Sequence, residues 1–411
     1  VSVRVVSEKM SRASRRAGFV RLLLLAATLL LTTHSAPAVA AAVQKQSEAD
    51  KQAQKGAEYL GKKDWKRAVD SFRKAARADA RHVEANYGLG MAFVNLKQPT
   101  DALAAFSKVI EAKPNPRVKD ALLNTGVIHF ALTHYKEAAS ALELAVPLGD
   151  IGSAGHYFLG KSYLLLGRDA DALASLQRAT SEPQYAQDAF YSVGLVRMKQ
   201  NQPREAVMPL EQAVRLNSRH APSLALLGNA YVATERIAEA EKLLRQSLAL
   251  DPNQSLAHNG LGHALLSMNR IEEAVASFTT ALRLQPQSPE AHAGLGTAHA
   301  RLNRFREAES SFEQAMRLKP DAVEPLLGMC VVQYSQGQYP AMLSTAQQAA
   351  RLAPKSANAQ TMLAAAYATI GQMREATAAV RVALRLESDN YWPHFILGFI
   401  MVREDKLQEA L

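Results

Sequence analysis

From about residue 49 onward, apolar positions recur at spacings of three and four, in segments that come in pairs. That spacing is the stripe of an amphipathic helix. The pairs are copies of one another. Gly126, Gly160, Gly194, Gly228, Gly262 and Gly296 stand 34 residues apart, and Cys330, Ala364 and Gly398 continue the column. Upstream, Gly56 and Gly90 keep the same interval. The single slip, 36 residues between Gly90 and Gly126, contains Pro114-Asn115-Pro116 and reads as a two-residue loop insertion. Twelve residues after each small position stands Ala68, Ala102, Ala138, Ala172, Ala206, Ala240, Ala274, Ala308, Ala376 or Ala410, with Met342 the exception. Four residues further on the column turns large and apolar: Phe72, Phe106, Leu142, Leu176, Leu210, Leu244, Phe278 and Phe312.

These columns predict a helix, a turn and a second helix in every unit. Small residues at fixed points predict close approach of the two helices. Between them stand Gly167, Asn201, Asn269, Asn303, Gly337 and Gly371, residues that tolerate the left-handed conformation ending a helix. Pro114, Pro252, Pro286, Pro320 and Pro354 stand where a second helix must stop. An acid opens most second helices (Asp101, Glu137, Asp171, Glu205, Glu239, Glu273, Glu307, Glu375, Glu409). Arg215, Arg283, Arg317, Arg351 and Arg385 close several of them. Both rows suit the helix dipole.

A 34-residue helix–turn–helix with Leu227-Gly228, Tyr231, Ala240 and Pro252, or Leu295-Gly296, Ala308, Phe312 and Pro320, resembles the tetratricopeptide repeat family. The resemblance covers residues 49–411, ten repeats and half of an eleventh. It implies an all-α right-handed α-solenoid, a superhelix of stacked repeats. His156, His258, His292 and His394 stand where the family motif opens with Trp. Arg197 and Gln333 stand where Tyr is usual. The chain ends just inside the second helix of its last unit. Repeat ends need a polar cap, so continuation, a partner or a second copy is expected there, self-association through that half repeat included.

Composition then narrows the class. Hydrophobic residues make up 48% of the 411, too many for a disordered chain, and one cysteine excludes a disulfide scaffold. The net charge of +10 would suggest an anionic partner until its location is known. Arg12, Arg15, Arg16 and Arg21 precede an apolar run, Leu22 to Leu31, and then Ala38-Val39-Ala40. This is the pattern of a secretory signal peptide over 1–40, with cleavage before Ala41. The run is too short for a membrane span of about 20 residues. Residues 41–48 read as a short linker. The leader holds six basic residues and one acid, so half of the net charge leaves with it. The rest gives no case for nucleic acid. An exported, periplasmic or extracellular protein is expected.

No catalytic constellation stands out, and no cofactor or metal is expected. There is no H-E-x-x-H, G-x-S-x-G or Walker loop. Gly88-Leu89-Gly90, Gly260-Leu261-Gly262 and Gly294-Leu295-Gly296 follow no strand, so they are not dinucleotide loops. His258 and His292, one repeat apart, are placed to stack, but no His is matched to Cys or carboxylate at ligand spacing. Cys330 reads as a small buried hydrophobe. Lys62, Lys63, Lys66, Arg67, Arg73 and Lys74 make the first repeat basic, either a solvated cap or a contact with an anionic envelope surface.

The family resemblance implies that exposed first-helix positions line the binding groove for a protein or peptide. In this chain those are Phe130, Tyr157, Lys161, Leu164, Tyr191, Leu195, Met198, Asn229, Asn259, His263 and Tyr334. Tyr157 and Tyr191 occupy one column in successive repeats. The Lys and Asn of carboxylate-clamping relatives are absent: Asn229 has Ala225 before it. The resemblance therefore points to a non-catalytic scaffold or adaptor. The rival is the regulatory repeat region of a larger enzyme, such as a glycosyltransferase, or of an export-machinery protein; the gene beyond codon 411 discriminates them.

Overall fold

Ten of the predicted pairs form two helices each in the computed structural model, which describes residues 41–112 and 114–403. The first helix runs over 41–61. Trp65–Ala78 completes its pair, followed by Val83–Asn95 with Pro99–Glu111, Val118–Ala131 with Tyr135–Ala145, and Gly152–Leu165 with Asp169–Arg178. The series continues from Pro183–Lys199 with Pro203–Leu216 to Ala357–Thr369 with Met373–Leu386, and then Tyr391–Arg403. The described residues contain no strand. Residues 41–48, expected as a linker, are helical and exposed. The leader and residues Glu409 and Ala410 lie outside the described residues. The chain divides into two compact units, one ending at Ala179 and one beginning at Thr180.

The two helices of a pair differ in burial because they differ in neighbours. Ala221–Ala233 is packed from several sides and buries nine residues, among them Leu224, Leu226, Leu227 and Tyr231. Its partner Ile237–Leu250 buries only Ala240, Leu244 and Ser247, one stripe of a helix whose other face meets water. The core is accordingly a series of local clusters. In the first unit one cluster gathers Phe72, Phe93, Phe106 and Val109. In the second, one cluster runs from Ala206 to Ala298, and smaller ones surround Phe312, Cys330 and Ile396. Each repeat is held by its neighbours.

The small-residue column serves a side chain as well as a backbone. A Cβ on Gly90 would stand 2.6 Å from the Phe106 ring, and one on Gly228 would stand 2.6 Å from Leu244. Neither would fit beside the buried residue opposite. The glycine two residues earlier performs the same task for the previous repeat. Phe72 lies against both Gly56 and Gly88, and Phe278 lies against both Gly262 and Gly294. Gly88-Leu89-Gly90 and Gly294-Leu295-Gly296 thus place each glycine on a different ring.

The turn column adopts the left-handed conformation where expected, at Gly167, Asn201, Asn269, Asn303, Gly337 and Gly371. It does so equally at Lys63, Lys97, Thr133 and Glu235, with φ between 57° and 63°. Tertiary packing imposes the turn even on residues that resist it. The insertion is real: Asn115 Nδ2 donates to the carbonyls of Val109 and Ala112 at 2.9 and 3.0 Å, which seals the longer loop. His258, His292 and His394 do not stack. Each Nε2 lies against the carbonyl six residues before it, Pro252, Pro286 and Ser388, at 3.0, 3.1 and 2.7 Å. They tie the loop between repeats to the next helix.

Candidate functional site

First helices carry the residues expected to line a groove, and they fall into both units. In the first unit Phe130 packs edge-on against Phe158 at 5.2 Å, and Phe158 packs edge-on against Tyr157 at the same distance. Lys161 places its ammonium 6.0 Å from the Tyr157 ring, and Leu164 is half-buried one turn on. Phe130, Phe158 and Tyr157 therefore form one aromatic run with the Lys161 cation at its edge. Phe158 was not anticipated, because its column is apolar only in some repeats.

In the second unit Tyr191, Leu195 and Met198 are half-buried against the core cluster around Leu226 and Leu265. Tyr191 packs edge-on against His220 at 5.5 Å, and burial raises its phenol pKa. Asn229 donates to the carbonyls of Ala225 at 2.8 Å and Leu256 at 3.3 Å. Asn259 keeps a buried carbonyl oxygen without a partner. His263 turns inward, edge-on to Phe278 at 5.0 Å, and burial lowers its pKa. Tyr334 is exposed at 53% and lies 6.0 Å from Tyr339. Most of these side chains thus belong partly to the packing, and Tyr334 is the accessible ring among them. With the glycine column counted as position eight of each unit, the fifth, ninth and twelfth positions from Tyr191 to Val402 lack Asp, Glu, Lys and Arg, whereas the second position, expected to line the same groove, carries Asp188, Glu290 and Glu324. Three columns of this face are therefore without formal charge, and the fourth is acidic at intervals.

The acid row has partners beyond the helix dipole. In the first unit Arg168 donates to Asp171 at 2.8 Å and to Glu143 at 2.7 Å, while the Tyr163 hydroxyl donates to Glu143 at 2.8 Å. The guanidinium lies 4.2 Å from the Tyr163 ring centroid. In the second unit Arg236 holds Glu239 at 2.6 Å and Glu211 at 3.3 Å; Tyr231 donates to Glu211 at 2.6 Å beneath the guanidinium, 3.7 Å away. Burial first, then the Glu211 hydrogen bond, pushes the Tyr231 phenol up to about 12. The same causes raise Tyr163 further. Each latch ties a second helix to both helices of the following repeat. A carboxylate 20 residues before a Tyr, with Arg five residues after it, was the available signal in the chain.

The remaining candidates resolve simply. Cys330 is fully buried and burial pushes its thiol up to about 12, far from a thiolate. No group of three or more His, Cys, Asp or Glu among the described residues could hold a metal ion. In the basic first repeat Lys62, Lys63, Lys66, Arg67, Arg73 and Lys74 are exposed. Arg67 is engaged by Asp64 at 2.5 Å and lies 5.0 Å from the Tyr59 ring. The helix Tyr391–Arg403 rests on the preceding repeat through Ile396 and Ile400, while Tyr391, Trp392 and Phe395 are more than half exposed. No helix among the described residues is long and apolar enough to cross a membrane.

Comparison with known proteins agrees with the repeat. Two models described as "Tetratricopeptide repeat" match, one over residues 53–115, 98–153 and 259–323, the other over 197–264. Anaphase-promoting complex subunit 3 of Schizosaccharomyces pombe is 29% identical over 123 residues, 30% of this chain. The match spans only 18% of that relative's length. Among solved structures, Pseudomonas aeruginosa PilF is similar at TM-score 0.44 and 20% identity, over 53% of this chain and 99% of that one. The APC/C hetero-tetramer Cut9–Hcn1 gives 0.45 and 13%, over 88% and 92%. Yeast Tom70 gives 0.41 and 16%, over 89% and 90%. Likenesses at this level say nothing about what this chain binds.

Proposed function

Because the chain belongs to the tetratricopeptide repeat family, we propose that it is a non-catalytic scaffold, exported to the periplasm or cell envelope, which holds an extended protein segment along its first helices. The observation that carries this reading is the first-helix face of the second unit. Its fifth, ninth and twelfth positions hold no formal charge over seven successive helices, and they offer Tyr334, Asn229 and Asn259 among aliphatic neighbours. Such columns suit a partner with apolar anchors and backbone amides, with Glu290 and Glu324 beside them for a basic group. Phe130, Tyr157, Lys161 and Leu164 offer the first unit's counterpart, with one cation.

A photoreactive side chain at Tyr334 tests this. It should crosslink a discrete partner in the host, whereas the same group at exposed Arg283 on a second helix should not. Equal labelling from both positions would refute the groove. Export is tested separately, by mass measurement of the native protein, which should begin at Ala41. Self-association belongs to the rings of Tyr391–Arg403, and sedimentation of Phe395→Ser beside wild type reads it: an unchanged oligomeric state would remove that surface. The anionic envelope contact would use Lys62, Lys63, Lys66, Arg67, Arg73 and Lys74, and vesicle flotation of Lys62→Gln/Lys66→Gln addresses it.

A further inference from the structure

One seam of the first unit carries the latch positions with their chemistry reversed. Counting along the repeat, Arg73 stands where Glu143 and Glu211 stand, Phe93 where Tyr163 and Tyr231 stand, and Gln98 where Arg168 and Arg236 stand. Asp101 keeps the position of Asp171 and Glu239. The hydroxyl that would donate is gone and the carboxylate that would accept has become a guanidinium. Arg73 instead lies over the Phe93 ring at 5.5 Å.

Around this seam is a cleft of about 360 Å³, open to solvent. Arg73, Arg77 and Lys108 stand on its sides, with Leu89 and Phe93 among its lining residues. All three cations are exposed. No carboxylate among the described residues comes within ion-pair distance of any of them, Asp101 included. The neighbouring cleft over Ile110, Leu122 and Leu144 balances Lys136 with Glu137. The cationic excess distinguishes this cleft from its neighbour.

We propose that the cleft between Trp65–Ala78 and Pro99–Glu111 binds an acidic peptide segment that carries an apolar side chain. A carboxylate from the partner supplies to Arg73 what Glu143 and Glu211 supply to arginines inside their own latches. Arg77 and Lys108 take flanking acids, and the apolar side chain enters over Leu89 and Phe93. A flat lipid surface meets only the rim, because Leu89 and Phe93 expose just 8% and 5% of their surface. This site lies among second helices and does not depend on the first-helix face.

The test uses a short labelled peptide in which glutamates alternate with leucines, and its glutamine counterpart, with binding followed by fluorescence anisotropy. The glutamate peptide should bind wild type and weaken between about 0.01 M and about 0.15 M salt, as the Debye length falls from roughly 30 to roughly 8 Å. Arg73→Glu/Arg77→Glu and the glutamine peptide should each weaken binding by about tenfold or more. Lys62→Gln/Lys63→Gln, outside the cleft, should change it less than about twofold, as expected of distant screened charges. Arg73→Glu/Phe93→Tyr/Gln98→Arg rebuilds the latch, and should abolish binding while raising Tm, which also shows that the variant folds. Unchanged binding by Arg73→Glu/Arg77→Glu or by the latch variant overturns the proposal. So does equal binding of the glutamine peptide. Tight binding of phosphatidylglycerol vesicles that the peptide cannot compete away would assign the cleft to a membrane and overturn it too.

Discussion

The seam at Glu211, Tyr231, Arg236 and Glu239 and the seam at Arg73, Phe93, Gln98 and Asp101 occupy the same positions in different repeats, and they do opposite things. The first closes on itself: a phenol, a guanidinium and two carboxylates satisfy one another. The second leaves Arg73 over a ring with no carboxylate among the described residues at ion-pair distance. The helices beneath are alike, with a large residue of the second helix filling the space left by a glycine in both. The contrast teaches that packing and surface chemistry are separable in this fold. The small and large columns hold the repeat together, and the polar positions above them are free to form an internal latch or an external site.

The largest expected effect tests the shared part. Phe72→Ala beneath the open seam and Phe278→Ala in the second unit should each cost about 3–5 kcal/mol, the range for emptying a buried aromatic site. Denaturant titration reads both. A cost confined to one of them would end the claim that the packing is common to the two regions. Next comes the latch. Tyr231→Phe should lose about 1.5–3 kcal/mol, the net worth of a hydrogen bond to a charged group, whereas Phe93→Tyr should gain no stability because Arg73 stands where the accepting carboxylate would be. If Phe93→Tyr stabilised as much as Tyr231→Phe destabilised, the seams would be alike after all.

Alkaline pH sharpens the same contrast. The Tyr231 phenol is raised in the folded state to about 12. Its contribution to stability is complete below the ordinary phenol value near 10 and fades as pH rises toward about 12, because the unfolded chain releases that proton first. Phenolate absorbance should show Tyr231 titrating lower in Glu211→Gln, though still above the ordinary value, since burial is the leading cause. An unmoved titration would deny the hydrogen bond a part. The smallest effect lies in the turns. Thr133 and Gly167 share one left-handed position, with φ of 62° and 74°. Thr133→Gly should add up to about 1 kcal/mol and Gly167→Thr should lose at least that, because a β-branched residue resists this conformation. Thermal melts decide, and a loss in Thr133→Gly would show that the threonine side chain has a role of its own.

The fold was almost wholly legible in the chain, and the groove much less. A 34-residue interval with Gly, Ala and Phe in fixed columns already states which helices exist and how closely they pack. The glycine pairs such as Gly88 and Gly90 were visible too, but not that each accommodates a ring from a different repeat. His263 and Tyr334 looked equivalent as groove residues, yet one packs on Phe278 and the other faces solvent. Position in a repeat sets the direction of a side chain only roughly. Its rotamer is chosen by what the neighbouring repeat leaves open. Histidines 258 and 292 failed as a stacked pair for a similar reason, since a loop carbonyl six residues upstream was the nearer partner for each.

The chain alone therefore determined a tandem array of helix pairs, because the periods of helix and repeat are written residue by residue and each unit needs only its neighbours. It also determined the acid and arginine rows. Tertiary structure alone decided which of those charges meet. Glu143 and Tyr163 are 20 residues apart, and Arg117 reaches Glu84 across 33, distances along the chain that no local pattern measures. The same holds for the open seam. Arg73 and Lys108 lie on different second helices, and only the packing that brings those helices to opposite sides of Phe93 places their charges around one cleft.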